Sequence, residues 1–305
     1  MLALFSFKFF FLGLLLSSAT YMHFRGKVRL KFARQLTDHS TFMAPINSFI
    51  YFFSGVPNTP YLDKDRFPEL QIFKDNWEII REEAQQLLDQ GHVRLSTKND
   101  DIGFNTFYRR GWKRFYIKWY DDFFPSAQAL CPKIIELVKQ VPSINAAMFT
   151  LLPAGSRLGL HRDPYAGSLR YHLGIITPNS DECRIYVDGI PHAWYDGQDV
   201  LFDETYLHEA ENKTDQDRLI FFCDVARPMS NHFATWVNRF FSRHVMRHAA
   251  TQNSDTDKLG FLNRLFKYVH WVGEQGKHLK SYNRKLYYSV KYSLLISLVY
   301  WLITG

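Results

Sequence analysis

The feature that most constrains the fold of this 305-residue chain is a run of short apolar segments between residues 144 and 225. The segments AAMFTLL, SLRYHLGIIT, CRIYV, DVLFDE and RLIFFCDV have the composition of strands and follow one another without an intervening helical pattern. The dipeptides Asp188-Gly189 and Asp196-Gly197 favour hairpin turns, because Asp and Gly tolerate positive φ angles. Five or more strands within about 80 residues predict a β-sandwich or a jelly roll.

The same stretch contains two histidines and an aspartate in a pattern that suits a metal ion. His161 and Asp163 are two residues apart, so on a strand their side chains share one face. His208 follows several strands later, after Asp203-Glu204. Two imidazoles and one carboxylate that hold one face of an iron ion are typical of non-haem Fe(II) oxygenases. The sequence therefore predicts a catalytic Fe(II) bound by His161, Asp163 and His208.

Three further residues of this stretch are candidates for binding an anion. Arg218 opens the apolar segment RLIFFCDV, where an arginine that faces a core needs an anionic partner. That partner is either Asp217 or Glu209, in a structural ion pair, or the carboxylate of a cosubstrate, held by a bidentate clamp. Arg170 and His172 alternate on SLRYHLGI and so point to one side, where they can bind a second anionic group near the metal. For His172 alone, an ordinary core histidine is the alternative.

The N-terminal end is apolar and is followed by a basic cluster. Residues 2–22 contain a single charged side chain, Lys8, and are long enough to span a bilayer. A cleaved signal peptide is the alternative interpretation, with Ser17 and Ala19 as a small-x-small cleavage site. The arginines and lysines at 25–34 favour a signal anchor, because such clusters stay on the cytoplasmic side. We therefore expect the body of the chain in the cytoplasm.

The C-terminal end is also apolar, and basic residues precede it. Residues 286–305 contain one lysine, Lys291, and are predicted to form a second transmembrane or interfacial anchor. The basic residues at 277–285 again place the body of the chain in the cytoplasm. Basic and aromatic residues mix at 104–124, which we interpret as strands rather than a nucleic-acid surface. Because the formal net charge of +7 is concentrated beside the two ends, the predicted partner is anionic lipid and not nucleic acid.

Three stretches together resemble the aspartyl/asparaginyl beta-hydroxylase family: TLLPAGSRLGLHRDPYAGSLRYHLGI, GQDVLFDETYLHEAEN and RLIFFCDVARP. The resemblance implies a double-stranded beta-helix (jelly-roll) domain, mainly β with flanking helices, that uses Fe(II) and 2-oxoglutarate as cosubstrate. The residues that it implies are His161, Asp163 and His208 for iron, and Arg218, Thr150, Arg170 and His172 for 2-oxoglutarate. Arg218 and Thr150 would bind the distal carboxylate of 2-oxoglutarate, and Arg170 and His172 would lie near its metal-binding end.

These patterns divide the chain into five parts. The predicted parts are a transmembrane anchor at 1–22, a membrane-proximal region at 23–68, the Fe(II)/2-oxoglutarate dioxygenase domain at 69–230, basic amphipathic helices at 231–285 and the second anchor at 286–305. Within the domain, helices are predicted at 69–89 and 128–141. The three cysteines lack a CxxC motif and are predicted to be buried thiols in a reducing compartment.

The apolar ends and the His-Arg-Asp sequence resemble the bacterial lipid A 2-hydroxylase branch of the family. This resemblance implies hydroxylation at C2 of an acyl chain on lipid A or a precursor, with dioxygen, by an enzyme embedded in the bacterial inner membrane and with its catalytic domain in the cytoplasm. One alternative keeps the chemistry and acts on Asp, Asn or another side chain of a peptide. Others are an inactive membrane scaffold with an oxygenase fold and a di-iron hydroxylase, the latter prompted by His244-x-x-x-His248.

Overall fold

The computed structural model describes residues 2–35, 38–95, 107, 111–254, 256–257 and 260–304. Within them, the strands form two antiparallel sheets that share one hydrophobic core, and helices flank the sheets. This architecture confirms the prediction of a mainly β domain with flanking helices. Residues of both sheets line a cavity between them.

Ten strands build the two sheets in the described part of the chain. Their bounds are β1 Lys113–Trp119, β2 Asp122–Phe123, β3 Ile144–Leu152, β4 Arg157–His161, β5 Ser168–Ile176, β6 Cys183–Val187, β7 Ile190–Ala193, β8 Asp199–Phe202, β9 His208–Asn212 and β10 Arg218–Ala226. The larger sheet has the order β2-β1-β3-β10-β5-β8 and the smaller one β4-β9-β6-β7. The five predicted segments correspond to β3, β5, β6, β8 and β10. The strands β4, β7 and β9 are not apparent from the sequence, because they are short and mix polar with apolar residues.

The two predicted Asp-Gly turns have different outcomes. Asp188 and Gly189 have φ angles of 52° and 81° and join β6 to β7, so the predicted hairpin is confirmed. Gly197 also has a positive φ of 70°. However, Asp196-Gly197 connects β7 to β8, which belong to different sheets. The hairpin predicted there is therefore wrong, because the turn carries the chain from one sheet to the other.

The helices lie before, between and after the strands. Their bounds are α1 Leu2–Phe24, α2 Phe32–Gln35, α3 His39–Phe52, α4 Gln71–Asp75, α5 Trp77–Asp89, α6 Pro125–Leu130, α7 Pro132–Lys139, α8 His232–His244, α9 Phe261–Tyr282 and α10 Arg284–Thr304. The helix predicted at 69–89 is interrupted at Asn76, which caps α4. The helix predicted at 128–141 is divided at Cys131 into α6 and α7, because Pro132 begins a new helix. All three cysteines are buried free thiols, as predicted.

By length and composition, one helix in the described ranges is able to cross a membrane. It is the window Phe7–Phe24 of α1, which has a mean hydropathy of 1.2 and is 11% buried. A signal sequence satisfies the same criterion. The C-terminal anchor at 286–305 stays a prediction. Of the basic and aromatic segment, β1 and β2 confirm the strand interpretation, whereas residues 104–106 and 108–110 lie outside the described residues.

The region between α1 and the β-domain packs closely on that domain. α3 lies against α1, and Met22, Ile50 and Tyr51 form a small buried cluster with Ala166, which precedes β5. The side-chain amide of Asn47 accepts a hydrogen bond from the Ala166 backbone N–H and donates one to a backbone carbonyl of the same loop, both at 2.9 Å. The end of α1 is therefore connected to the loop that follows β4.

Candidate active site

Two neighbouring strands bring the predicted metal ligands together. His161 ends β4 and His208 begins β9, and the two residues are paired across the smaller sheet. Asp163 follows in the loop after β4, where its backbone N–H donates to the carbonyl of Glu204 at 2.9 Å. The ligand atoms of His161, Asp163 and His208 all lie within 4.8 Å of one another. Among the described residues, this is the one group of three or more such side chains that is close enough to hold a metal ion.

Backbone carbonyls fix the orientation of both imidazoles. The Nδ1 atom of His161 lies 2.7 Å from the carbonyl of Gly159, and that of His208 lies 3.0 Å from the carbonyl of Tyr206. Because a carbonyl only accepts, Nδ1 is assigned as the donor in each ring, which leaves the Nε2 lone pair free. Burial lowers the pKa of both rings, that of His208 to about 3. Both histidines are therefore neutral at pH 7, as metal ligation requires.

A buried cluster around Arg170 favours the ionised form of Asp163. The guanidinium contacts Asp163 at 2.9 Å, Asp224 at 2.8 Å and also Glu204. Burial raises the pKa of the Glu204 and Asp224 carboxyls. Burial also acts on Asp163, but the Arg170 cation outweighs it and holds the pKa of that carboxyl below its usual range. Of the three carboxyls, the one that faces the histidines is thus the most strongly favoured in its ionised form.

One cavity contains all seven residues predicted from the sequence. The empty space inside it is about 460 Å³, with its open mouth included. The predicted residues that line it are Thr150, His161, Asp163, Arg170, His172, His208 and Arg218. The strand register explains the grouping, since alternate residues of β3, β5 and β10 face the same side of the larger sheet.

Arg218 lies in this cavity without an anionic partner among the described residues. Its side chain is buried, its Nε atom has no hydrogen-bond partner, and no described carboxylate forms an ion pair with it. The two partners considered from sequence are engaged elsewhere: Asp217 accepts from the Ala154 N–H, and Glu209 pairs with Arg157. The guanidinium instead lies 4.3 Å from the ring centre of Trp194. Burial lowers the pKa of Arg218 to about 10.

A sequence model of the family described as aspartyl/asparaginyl beta-hydroxylase matches residues 74–228, about half of the chain. The chain belongs to the aspartyl/asparaginyl beta-hydroxylase family. The match includes β1–β10 and every residue that lines the cavity between the two sheets. The chain is therefore a hydroxylase by family, and its cavity is the candidate active site.

Several relatives of this hydroxylase are known. It is 31% identical over 192 residues to an ornithine lipid ester-linked acyl 2-hydroxylase of Rhizobium tropici, a match that covers 60% of this chain and 67% of that protein. It is 26% identical over 197 residues to human aspartate beta-hydroxylase domain-containing protein 2, with 59% of this chain and 50% of that protein covered. Human aspartyl/asparaginyl beta-hydroxylase is 24% identical over 158 residues, which are 50% of this chain and 20% of that protein.

Among solved structures, a Pseudomonas putida prolyl-4-hydroxylase matches 61% of this hydroxylase and 100% of its own chain, at 14% identity and a TM-score of 0.34.

His172 has an environment that the sequence does not predict. Both of its ring nitrogens lack a hydrogen-bond partner, although the residue is 5% exposed and lines the cavity. Its ring stacks on Phe222 at a centroid distance of 5.2 Å. Burial, followed by the nearby Arg170 and Arg218, lowers the pKa of His172 well below its usual value. The hydroxylase thus holds a neutral imidazole with two free nitrogens beside the unpaired arginine.

Four site residues of this hydroxylase escape sequence reasoning. Trp194 lies over Arg218, Phe107 lies 4.7 Å from His161 between ring centres, and Glu204 and Asp224 pair with Arg170. For Asp224 a signal is present, because it alternates with Arg218 along β10 and so shares its face. Trp194 and Glu204 lie in loops whose positions the local sequence does not fix.

The N-terminal region of the hydroxylase reaches the active-site loops directly. Arg162 lies between His161 and Asp163 and donates to the backbone carbonyl of Met22 at 3.1 Å. Arg25, just after α1, forms an ion pair with buried Asp203 and donates to Thr205 at 2.7 Å. Both Asp203 and Thr205 belong to the loop that leads to His208. The segment next to the candidate membrane helix therefore contacts the loops that carry all three metal-ligand candidates.

Proposed function

We propose that this hydroxylase uses Fe(II) and 2-oxoglutarate to hydroxylate C2 of an acyl chain on lipid A or a lipid A precursor, at the cytoplasmic face of a bacterial inner membrane. One observation carries the proposal: a single cavity contains a neutral His-His pair with an ionised aspartate and, beside them, a buried arginine that lacks an anion. A dicarboxylate cosubstrate that also chelates a metal satisfies both halves of this arrangement.

In this proposal His161, Asp163 and His208 hold the iron. Their donor set fits Fe(II), because two neutral imidazoles and one carboxylate leave further coordination positions for small molecules. Bound there, iron would supply the activation of dioxygen that is coupled to decarboxylation of 2-oxoglutarate. The protein keeps the three ligands in place: carbonyls orient the histidines, and Arg170 orients Asp163.

The other cavity residues position the cosubstrate. Arg218 would donate two hydrogen bonds to the distal carboxylate of 2-oxoglutarate in a bidentate pair, which removes the cost of its unpaired burial. The hydroxyl of Thr150 would donate to the same carboxylate. His172 would offer a ring N–H near the end that binds the metal. Trp194 covers the guanidinium and limits the access of water to this end of the cavity.

Two observations favour a lipid acyl chain as the substrate. The rhizobial relative is named as an acyl 2-hydroxylase of ornithine lipid, and the end of the candidate membrane helix contacts the loop of His161 and Asp163 through Arg162 and Met22. Phe107 and Trp112 add an apolar wall to the cavity beside His161. An acyl chain from the adjacent leaflet would follow this wall towards the metal.

The alternative is hydroxylation of an Asp, Asn or other side chain of a peptide. The name of the human relative aspartyl/asparaginyl beta-hydroxylase favours it. A purified enzyme that releases succinate with peptides and never with lipid would establish this alternative.

The proposal is tested by the mass of lipid A from bacteria that express either the wild type or His208→Ala. We expect a one-oxygen increment on lipid A in cells with the wild type and none with the variant. Ornithine lipid, extracted from the same cells, identifies the acceptor. A lipid A mass that is the same in both strains would contradict the proposal, and an increment on ornithine lipid alone would keep the reaction but change the acceptor.

A further inference from the structure

Helix α8 exposes aromatic side chains and buries polar ones, the opposite of a helix on the surface of a soluble domain. Its buried residues are Ala234, Asn238 and Ser242, so two of the three are polar. Its exposed face carries Phe233, Trp236 and Phe240, with exposures of 62%, 60% and 50%. A helix that packs on a soluble domain buries its apolar face and exposes its polar one. The solvent-facing side of α8 therefore has the composition expected of a buried one.

Specific contacts hold α8 in this orientation. The amide of Asn238 donates to the carbonyl of Gly167 at 3.0 Å, and the hydroxyl of Tyr165 donates to the backbone carbonyl of Asn238 at 3.1 Å. A methyl group at Gly167 would collide with Asn238 and with the Tyr165 ring. One aromatic residue of the helix, Phe241, packs inward, stacked on Tyr165 at 4.8 Å. Rotating the helix would break all of these contacts, so its aromatic face is directed outward by the fold.

The exposed aromatic rings form a continuous row that leads to α3. Centroid distances are 6.2 Å from Phe233 to Trp236 and 5.6 Å from Trp236 to Phe240, and both pairs are stacked. Phe233 also lies 6.1 Å from Phe49 of α3, whose neighbour Phe52 is 81% exposed. Because α3 packs on α1, the row is continuous with the C-terminal end of the candidate membrane helix.

We propose that the α8 face formed by Phe233, Trp236 and Phe240 inserts into the headgroup region of the membrane leaflet from which α1 emerges. Aromatic side chains prefer this depth of a bilayer. The exposed Arg239 on the same helix would meet anionic headgroups. Arg243 is also exposed, and it lies 3.6 Å from the carboxylate of Asp121. A second copy or another protein would also cover the face, but a bilayer accounts in addition for its continuity with α1, the candidate membrane-spanning helix. The proposal rests on the membrane location in the proposed function, and not on its chemistry.

The attachment would set the orientation of the active site. The inner side of α8 holds Tyr165 and Gly167, which follow Asp163 in the loop after β4. With α1 fixed at one side of this loop and α8 at the other, the domain has two points of contact with the leaflet and cannot rotate freely about α1. The distance between the mouth of the cavity and the acyl chains of the leaflet then stays constant.

The experiment uses the full-length protein in vesicles of phosphatidylethanolamine and phosphatidylglycerol that contain a phospholipid with a photoreactive diazirine on its acyl chain. After irradiation, mass spectrometry of peptides locates the labelled residues. We expect label on α1 and on residues 231–243. The triple variant Phe233→Ser/Trp236→Ser/Phe240→Ser should lower the label on 231–243 by at least about fivefold and leave that on α1 unchanged.

A matched control replaces two apolar residues exposed elsewhere, Ile79→Ser on α5 and Ile190→Ser on β7, which are 37% and 42% exposed. This variant should label like the wild type. Equal thermal unfolding of both variants and the wild type shows that the substitutions leave the fold intact, since all five side chains are at least partly exposed. If the triple variant does not fold, Trp236→Ser alone is expected to lower the label.

Two results would overturn the proposal: label confined to α1 in the wild type, or cross-links from a photoreactive amino acid at position 236 to a second copy instead of to lipid. These results are independent of enzymatic turnover. Label on α8 in a protein that never hydroxylates a lipid would support the attachment and contradict the proposed substrate. Hydroxylation of a lipid by a protein without label on α8 would support the proposed substrate and contradict the attachment.

Discussion

Two buried arginines on neighbouring strands line the same cavity with opposite surroundings. Arg170 on β5 is 6% exposed and Arg218 on β10 is 2% exposed. Arg170 contacts the carboxylates of Asp163, Glu204 and Asp224, whereas Arg218 has no anion among the described residues. Burial disfavours both cations, but the three carboxylates outweigh it and raise the pKa of Arg170, while the pKa of Arg218 falls to about 10.

The difference separates a positioning role from a binding role. A buried charge is costly unless it is paired, so a fold retains an unpaired one mainly where a ligand supplies the partner. The partners of Arg170 are already present, and its function is to keep Asp163 ionised and directed at the two imidazoles. Arg218 offers its guanidinium to a molecule that enters the cavity. Substituting each arginine should therefore affect different properties.

The largest effect is expected from Arg170→Met. The substitution leaves three buried carboxyl groups without a cation, and breaking a buried ion pair from one side costs about 3–5 kcal/mol. We expect the free energy of unfolding, measured by chemical denaturation of the full-length protein in detergent, to fall by this amount. Adding Glu204→Gln and Asp224→Asn should restore part of the loss by removing the unpaired acids. A free energy within about 1 kcal/mol of the wild type would show that the cluster is not an ion-pair network.

Arg218→Met should leave stability unchanged or increase it, because it removes an unpaired buried cation. Its expected effect is on the cosubstrate: loss of a bidentate charged pair should weaken binding of 2-oxoglutarate by about 3 kcal/mol, roughly a hundredfold. Anaerobic calorimetry with Co(II) in place of Fe(II) measures this affinity. Arg218→Lys keeps the charge without the fork geometry and should be intermediate. Unaltered 2-oxoglutarate affinity in Arg218→Met would remove the binding role.

The contrast between the two arginines is only partly visible in the sequence. The alternation of Arg170 with His172 and the spacing of His161 and Asp163 are local, so the shared faces follow from the period of a strand. The absence of a partner for Arg218 is not local. Asp217 and Glu209 are close in sequence yet are engaged by Ala154 and Arg157, and only the folded positions show this.

Longer-range features are even less accessible to sequence reasoning. The strand β9 has the sequence HEAEN, in which polar residues at the sheet surface obscure the apolar period. Asp196-Gly197 has the chemistry of a hairpin but connects two sheets, a difference that depends on where the next strand pairs. The contact of Arg25 with Asp203 joins residues that are 178 positions apart in the chain. Basic residues after an apolar helix predict topology, but not that one of them becomes buried in the domain.

Arg25 is a third buried arginine, and the expected effect of its substitution on stability lies between those for Arg170 and Arg218. Its side chain lies between the rings of Tyr51 and Tyr206 and shares the carboxylate of Asp203 with Arg227. In Arg25→Met the aspartate keeps one cation, so we expect a loss of about 2 kcal/mol in the free energy of unfolding, less than for Arg170→Met.

The same substitution should weaken Co(II) binding, because Asp203 begins the loop that leads to His208. Arg29→Met is the matched control, since Arg29 is exposed and lies over the Phe24 ring, with no carboxylate partner in the described structure. Metal affinity and stability that respond equally to the two substitutions would show that Arg25 does not position the loop.

The smallest effect is expected from Thr150→Val. Thr150 is buried on β3, lines the cavity and pairs with Ile220, so it faces the same side as Arg218. If its hydroxyl donates to the carboxylate that Arg218 binds, valine removes one hydrogen bond at nearly constant volume and should weaken 2-oxoglutarate binding by about 1 kcal/mol, roughly fivefold. Thr150→Ser keeps the hydroxyl and should bind like the wild type. In Arg218→Met the carboxylate is no longer held, so Thr150→Val should then have almost no further effect. Independent, additive losses in the double variant would place the two side chains on different groups of the cosubstrate.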